Sequence, residues 1–393
     1  MIILNTKEKD LKYIMHTYGR YDVALKSGKG AVAYDENGKK YIDVSSGIGV
    51  NSLGYCNDGW VEAVSKQAGT IQHMSNYFYS GQSSNLAEKL CTLTGLSKVC
   101  FGNSGAEANE CAIKIARKYS FDKYGEGRNE IITLKNSFHG RTVTTLSATG
   151  QDVFHNYFFP FTEGFSYVEA GDMNALKNTA NKNTCAVMLE LIQGEGGVNI
   201  LDTSYVQSLV KFCNENDILV IVDEVQTGVG RTGKLFAFEN YEILPDLVTV
   251  AKGIGGGLPI GLCMCGEKLK DVMSPSTHGT TFGANPVVCA GANYVLDTIT
   301  ADGFLDEVNK KGSYIEEKVS KFKNVKNVRR MGLMIGIEFE NGNAHDIAVK
   351  CVENGLLIIT AKDLLRMLPP LVITYDEIDE ALKILETTLK ENY

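Results

Sequence analysis

Apolar residues in this chain gather into short runs that alternate with stretches of helical spacing. The runs at 98–102 (KVCFG), 130–134 (EIITL), 185–192 (CAVMLELI), 218–223 (ILVIVD), 247–251 (LVTVA) and 259–265 (PIGLCMC) have the length of strands. Several are continuous rather than alternating, as expected of strands covered on both faces. The pattern predicts an α/β fold with a mainly parallel sheet. Between the first two runs, Ser104-Gly-Ala-Glu107 fits a capping box, and Ala108, Cys111, Ala112, Ile115 and Ala116 then recur at helical spacing. The last hundred residues differ. Positions 327–339 and 356–361 read as strands, Thr374-Tyr-Asp-Glu377 is a second capping box, and Ile378, Leu382, Leu385 and Leu389 follow on one helical face. The expected organisation is a large domain over 46–289 and a smaller α+β domain over 290–393. Residues 1–45, with β-like pieces at 31–34 and 41–44, are expected to join the smaller one.

Composition removes several function classes. The chain has 393 residues, 44% hydrophobic and 22% charged, with a net charge of -8. That is the balance of a globular protein. The acidic charge disfavours nucleic acid as a partner. No stretch reaches the roughly 18 apolar residues of a membrane helix, and MIILNTKEKD does not read as a secretory signal. A cytoplasmic protein is expected. The ten cysteines include no CxxC pair and mostly sit in apolar runs, predicting buried reduced thiols rather than a zinc site or a disulfide framework.

The chemistry gathers at strand ends. Asp223 closes the run ILVIVD, and Lys252 closes the next one. Ligands of open α/β sheets bind beyond the carboxyl ends of strands. A lysine desolvated there has a lowered pKa, favouring the neutral amine that forms a Schiff base. Alone, Asp223 equally fits a surface turn and Lys252 an exposed loop. As a pair on consecutive buried strands they fit pyridoxal phosphate, which needs a lysine for its aldehyde and a carboxylate for its pyridinium nitrogen. Gly102-Asn-Ser104-Gly105-Ala106 runs from a strand into the capped helix, where free N–H groups favour a phosphate; an ordinary capped helix is the alternative. Phe138 could stack on a flat ring and Arg141 could hold a carboxylate, or the two are a core Phe and a surface Arg. The segment 228–235 (GVGRTGKL) approaches the P-loop pattern, but Leu235 lacks the hydroxyl that binds Mg²⁺ and no amphipathic helix follows.

The motifs FGNSGAEANE, SFHGRT, LIQGEGG, VDEVQTGVGRTG, AKGIGGGLPIG, HGTTFGANP and LLRMLPPL stand in the order and spacing of the class III (ω-amino acid) pyridoxal-phosphate aminotransferases. The chain resembles that family from about Tyr18 to its last helix. The resemblance implies a fold type I architecture with a seven-stranded, mainly parallel sheet, pyridoxal 5'-phosphate as cofactor, and a homodimer with shared sites. It implies that Lys252 holds the cofactor and Asp223 pairs with its pyridine nitrogen. Gln226 would lie near the phenolic oxygen, and Val225 and Phe138 would sandwich the ring. Ser104, Gly105 and Ala106 would bind the phosphate, with Thr281 reaching the phosphate of the neighbouring subunit. Tyr18, Arg141 and Thr280 would line the substrate site. Glu195 and Arg366 would form a switch, closed for the ω-amino donor and open for the α-carboxylate of glutamate; a plain salt bridge is the alternative. Ornithine-specific members carry a tyrosine about where Gly47 stands, so its absence favours an acylated donor, N-acetylornithine, with 2-oxoglutarate as acceptor. Two motifs depart from the family pattern: Gly54-Tyr-Cys-Asn-Asp58, near the substrate access, and Glu190-Leu-Ile-Gln-Gly-Glu195.

Overall fold

The computed structural model of the protein describes residues 4–392. Residues 1–3 and 393, at the ends of the two expected terminal segments, lie outside the described residues. A seven-stranded sheet forms the centre. Its strands, in chain order, are β1 (Lys98–Gly102), β2 (Glu130–Leu134), β3 (Phe165–Val168), β4 (Thr184–Leu189), β5 (Leu219–Asp223), β6 (Leu247–Val250) and β7 (Gly261–Cys265). Across the sheet they lie β1-β7-β6-β5-β4-β2-β3. All run parallel except β7, which is antiparallel to both β6 and β1. Every residue of β4, β5, β6 and β7 is buried, which is why these strands read as unbroken apolar runs.

One strand escaped the pattern. β3 (FSYV) pairs only with β2 at the sheet edge and is mostly half-buried, so it carries no continuous apolar signal. The run expected at 185–192 is also interrupted. The strand stops at Leu189, the Glu190 carboxylate turns back to accept from the Gly194 N–H at 3.3 Å, and Ile192–Gln193 pairs instead with Asn199–Ile200.

Helix α1 (Gly105–Tyr124) follows β1 and buries Ala108, Cys111, Ala112, Ile115 and Ala116 as expected. Its cap differs in one respect. The Ser104 side chain accepts from the Glu107 N–H at 3.2 Å, but the Glu107 carboxylate accepts from the Asn103 N–H, one residue before the expected donor. The Ser104 N–H is thereby left for something else. β7 fixes the same corner. A Cβ built on Gly261 would fall 1.9 Å from the Ser104 carbonyl oxygen, so only glycine lets the two backbones approach.

Two smaller sheets flank this core. Strands Leu25–Lys29, Val32–Asp35 and Lys40–Asp43 form a meander whose last member pairs in parallel with Leu356–Leu357. The other sheet has the order Val325–Met331, Met334–Phe339, Leu364–Met367, Ile359–Ala361. The helix Tyr375–Asn392 starts at the expected capping box, with Thr374 and Glu377 bonded reciprocally at 2.8 and 3.2 Å. Among the described residues no helix is long and apolar enough to cross a membrane.

The P-loop look-alike proves structural. Its loop is buried except for Lys234, which is exposed, and Arg231 donates to the carbonyls of Leu333 and Pro369 at 3.0 and 2.6 Å, tying the central sheet to the C-terminal part. No α-helix follows; only a short 3-10 turn, Ala237–Tyr241, comes next.

Candidate active site

A cavity of about 410 Å³ opens at the carboxyl ends of the parallel strands. Its walls include Ser104, Gly105 and Ala106 beyond β1, Phe138 beyond β2, Asp223, Val225 and Gln226 at the end of β5, and Lys252 beyond β6. The reversed strand β7 contributes from its amino end, through Leu258, Pro259 and Ile260.

Asp223 is the last residue of β5 and is 4% exposed. Its Oδ2 accepts from Asn109 Nδ2 and faces His139 Nδ1, both at 2.8 Å, while Oδ1 accepts from the Val225 N–H at 3.0 Å. This fixes the carboxylate from three sides. His139 Nε2 and Asn109 Oδ1 are buried without a protein partner. Neither His139 nor Asn109 was singled out in the sequence, yet both left a signal. His139 follows Phe138 inside SFHGRT, and Asn109 is a polar residue on the buried stripe of α1.

Lys252 lies two residues past β6 and is the first residue of a 3-10 turn, with φ at 48°. A left-handed lysine costs about 1–3 kcal/mol, a strain typical of functional sites. Burial pushes its ammonium pKa below the ordinary lysine value, partly opposed by Glu195, Asp223 and Glu190. Glu190 is fully buried and its carboxyl is pushed up to about 7, chiefly by desolvation. It accepts from the Phe138 N–H at 2.8 Å, so it holds the loop that carries this cavity-lining phenylalanine.

The residues present fit pyridoxal phosphate. The N–H groups of Ser104, Gly105 and Ala106 have no protein partner among the described residues and stand at the amino end of α1. A Cβ on Gly105 would meet Val225 Cγ1 at 2.8 Å, so that wall is shaped by the absence of a side chain. A carboxylate, a desolvated lysine and an anion cradle thus face one volume.

Behind the Gln226 wall, Arg366 Nη1 pairs with Glu195 Oε1 at 2.6 Å and donates to Gln226 Oε1 at 3.1 Å. The Arg366 side chain is 3% exposed and that of Glu195 29%. Burial alone would raise the Glu195 carboxyl, but Arg366, with Lys252 and Gln226, outweighs it and holds the group below its ordinary value. The strand that carries Arg366, Leu364–Met367, was read in the sequence only as a motif; its central arginine hides the strand pattern. Arg141 is exposed and packs its guanidinium 4.0 Å above the Phe154 ring, which itself meets Phe138 edge-on at 5.9 Å.

Six expected residues are not among the walls of this cavity within one chain: Arg141, Glu195 and Arg366, just described, and Tyr18, Thr280 and Thr281. Tyr18 is 76% exposed and lines a separate groove of the N-terminal segment with residues such as Asp10 and Tyr21. Thr281 is exposed. Thr280 touches the wall only indirectly, its Oγ1 accepting from Asn103 Nδ2 at 2.9 Å.

A fold with a buried carboxylate and a desolvated lysine at parallel strand ends, beside free N–H groups at a helix start, fits a pyridoxal-phosphate-type enzyme. Comparison with known proteins names the family. The class-III aminotransferase family model matches residues 13–389, so the chain belongs to that family and is a transaminase. It is 50% identical over 387 residues to the acetylornithine aminotransferase of Haemophilus ducreyi, covering 98% of each chain. It is 49% identical to the acetylornithine aminotransferase of Caldanaerobacter subterraneus subsp. tengcongensis, covering 97% of this chain and 98% of the relative. Among solved structures it resembles N-acetylornithine aminotransferase from Stenotrophomonas maltophilia, with a TM-score of 0.84, 34% identity and coverage of 96% and 97%. It also resembles ornithine aminotransferase from Toxoplasma gondii, with a TM-score of 0.94, 31% identity and coverage of 99% and 97%.

Proposed function

We propose that this chain moves the ω-amino group of N-acetylornithine to 2-oxoglutarate, using pyridoxal phosphate, and that it works in the cytoplasm as a homodimer with shared sites. The observation that carries this reading is the convergence of Asp223 and Lys252 on one cavity, with the Glu195–Arg366 pair bonded to its wall residue Gln226. Bound pyridoxal phosphate supplies the electron sink that lets the donor carbon give up a proton. Asp223, fixed by His139, Asn109 and the Val225 N–H, would hold a proton on the pyridine nitrogen. Lys252 would hold the cofactor at rest and, with its lowered pKa, would serve as the base that moves the donor-carbon proton. The N–H groups of Ser104, Gly105 and Ala106 would hold the phosphate, Val225 and Phe138 would flank the ring, and Gln226 would serve its phenolic oxygen.

The two half-reactions ask different things of one site. Arg141, with Thr280 beside it, binds a carboxylate common to donor and acceptor. With Glu195 on Arg366 the remaining space is neutral and accepts the ω-amine. When Glu195 swings away, Arg366 takes the second carboxylate of glutamate or 2-oxoglutarate. A permanently free arginine would leave a costly unpaired buried charge in the first half-reaction. Gly47 supports the acylated donor: nothing at that position offers a group for a free α-ammonium. Tyr18 and Thr281, turned away from the cavity of their own chain, fit a site completed by a second subunit. The exposed run Tyr77, Phe78, Tyr79 beside Phe282 fits a surface covered by that subunit, since Asn76 ties the run to the carbonyls of Thr280 and Gly283.

The test is a donor panel with 2-oxoglutarate, reading conversion of the pyridoxal to the pyridoxamine form in single turnovers. N-Acetylornithine should give the largest kcat/KM. A larger value for ornithine, succinylornithine, 4-aminobutyrate or N-succinyl-diaminopimelate would reassign the donor, and no conversion with any of them would remove the reading.

A further inference from the structure

Away from the cavity, on the opposite side of α1, soft ligands from three separate parts of the chain converge. Cys100 lies on β1, Cys111 on α1 and His278 in the segment that follows β7. One ligand atom from each lies within 4.8 Å of the other two. Cys263, the direct register partner of Cys100 across β7 and β1, stands behind them, and Cys111 is within hydrogen-bonding reach of both. None of the ten cysteines is in a disulfide. The spacing along the chain gave no hint of this group, because its members are brought together only by the antiparallel placement of β7 and the return of the loop beyond it.

We propose that Cys100, Cys111 and His278 form a binding site for a thiophilic divalent cation of the zinc class, with Cys263 or solvent in the fourth position. Zinc bonds of about 2.3 Å to sulfur and 2.0 Å to nitrogen set neighbouring ligand atoms roughly 3.5–4 Å apart. The present arrangement has to contract by only about 1 Å, within the reach of side-chain rotation. Two thiolates and a neutral imidazole cancel the cation's charge, which suits a wall whose neighbours are Ala112, Ile115 and other apolar residues of the same cluster. One group stands in the way. Lys114 Nζ is 3.0 Å from His278 Nδ1 and from the Thr277 carbonyl oxygen. Lys114 is exposed and long, so it can withdraw into solvent when the cation arrives. Binding releases the thiol protons, so affinity rises with pH. Occupation pins the stretch Thr277–Gly283, which carries Thr280 and Thr281, to β1 and α1.

The experiment uses the holoenzyme in a Cys56→Ser, Cys91→Ser background, which removes the two accessible thiols outside the cluster. Protein is incubated with Zn²⁺ or Cd²⁺, passed through a desalting column, and examined for bound metal and for the thiolate-to-cadmium charge-transfer band. The expected result is one retained cation per chain, release of about two protons on binding, and loss of both the metal and the band in Cys111→Ser and in His278→Ala. His278 is only half-buried, so that variant remains informative if the buried serine unfolds the protein. No retained cation in the background protein, or retention at the background level by either folded variant, overturns the site.

Discussion

The two ends of the cavity are built differently. At the Asp223 end, both carboxylate oxygens are met by partners from the same chain: Asn109, His139 and the Val225 backbone. At the other end, beyond the cavity wall, Arg141 is exposed on an aromatic ring, Glu195 is held by Arg366 and, at 3.4 Å, by Gln226 Nε2, and Thr281 and Tyr18 are exposed. Electronic work requires a carboxylate that does not move, and one rigid sheet supplies it. Selecting between two unlike substrates requires groups that can change partners. On the proposed function, the buried end would set reaction class and the outer groups donor choice.

The comparison breaks most completely at Lys252. Lys252→Ala should abolish turnover and the near-visible absorbance of the lysine-bound cofactor, measured together on purified protein; survival of both would remove the lysine from its role. Asp223→Asn should come next, lowering kcat by about 10²–10⁴-fold while phosphate-anchored cofactor is still retained, as judged by kinetics and cofactor content. An undiminished kcat would mean the buried end does no electronic work.

The outer groups should respond in selectivity instead. Glu195→Gln keeps the shape but removes the charge that neutralises Arg366. We expect the preference for the ω-amine donor over glutamate to fall by roughly tenfold, equivalent to about 1.4 kcal/mol, with cofactor content unchanged. Equal kinetics for both donors before and after substitution would reduce the pair to a structural salt bridge. The smallest effect sharpens the contrast from outside the cavity. Glu224 is fully buried, accepts from Thr227 Oγ1 and the Phe238 N–H, and desolvation pushes its carboxyl up from about 4.5 to about 7. The folded state therefore binds this proton more tightly than the unfolded chain. Its contribution is present below pH 4.5 and is lost as pH rises through about 7. Glu224→Gln should flatten the stability profile across that window in denaturant titrations, leaving the slope at higher pH alone.

Much of the buried end was legible in the sequence for the same reason that it is rigid. β5 and β6 are apolar throughout, so Asp223 and Lys252 stand out at their ends, and the Ser104 cap marks the anion cradle. What could not be read arises from contacts between distant segments. His139 and Asn109 become a support for Asp223 only when the β2 turn and α1 meet β5. The shift of Glu107 from the Ser104 N–H to that of Asn103 depends on backbone placement at the β1 end. β3 is a mostly half-buried edge strand, and the Arg366 strand is an inner one of four residues with an arginine inside it, so neither shows as periodicity. Tyr18 was assigned through resemblance alone, and the single chain places it in a different groove.

The close approach of Gly261 to Ser104 also dictates an order of events during synthesis. The anion cradle is encoded early, at the β1–α1 corner, but the backbone that fixes its outer side belongs to β7 and leaves the ribosome much later. Until then the helix end stands without the strand that braces it, and β1 lacks its only neighbour in the central sheet. A nascent chain arrested before β7 should thus hold a central sheet missing one margin and be unable to retain a phosphate ester, however well its earlier helices have formed.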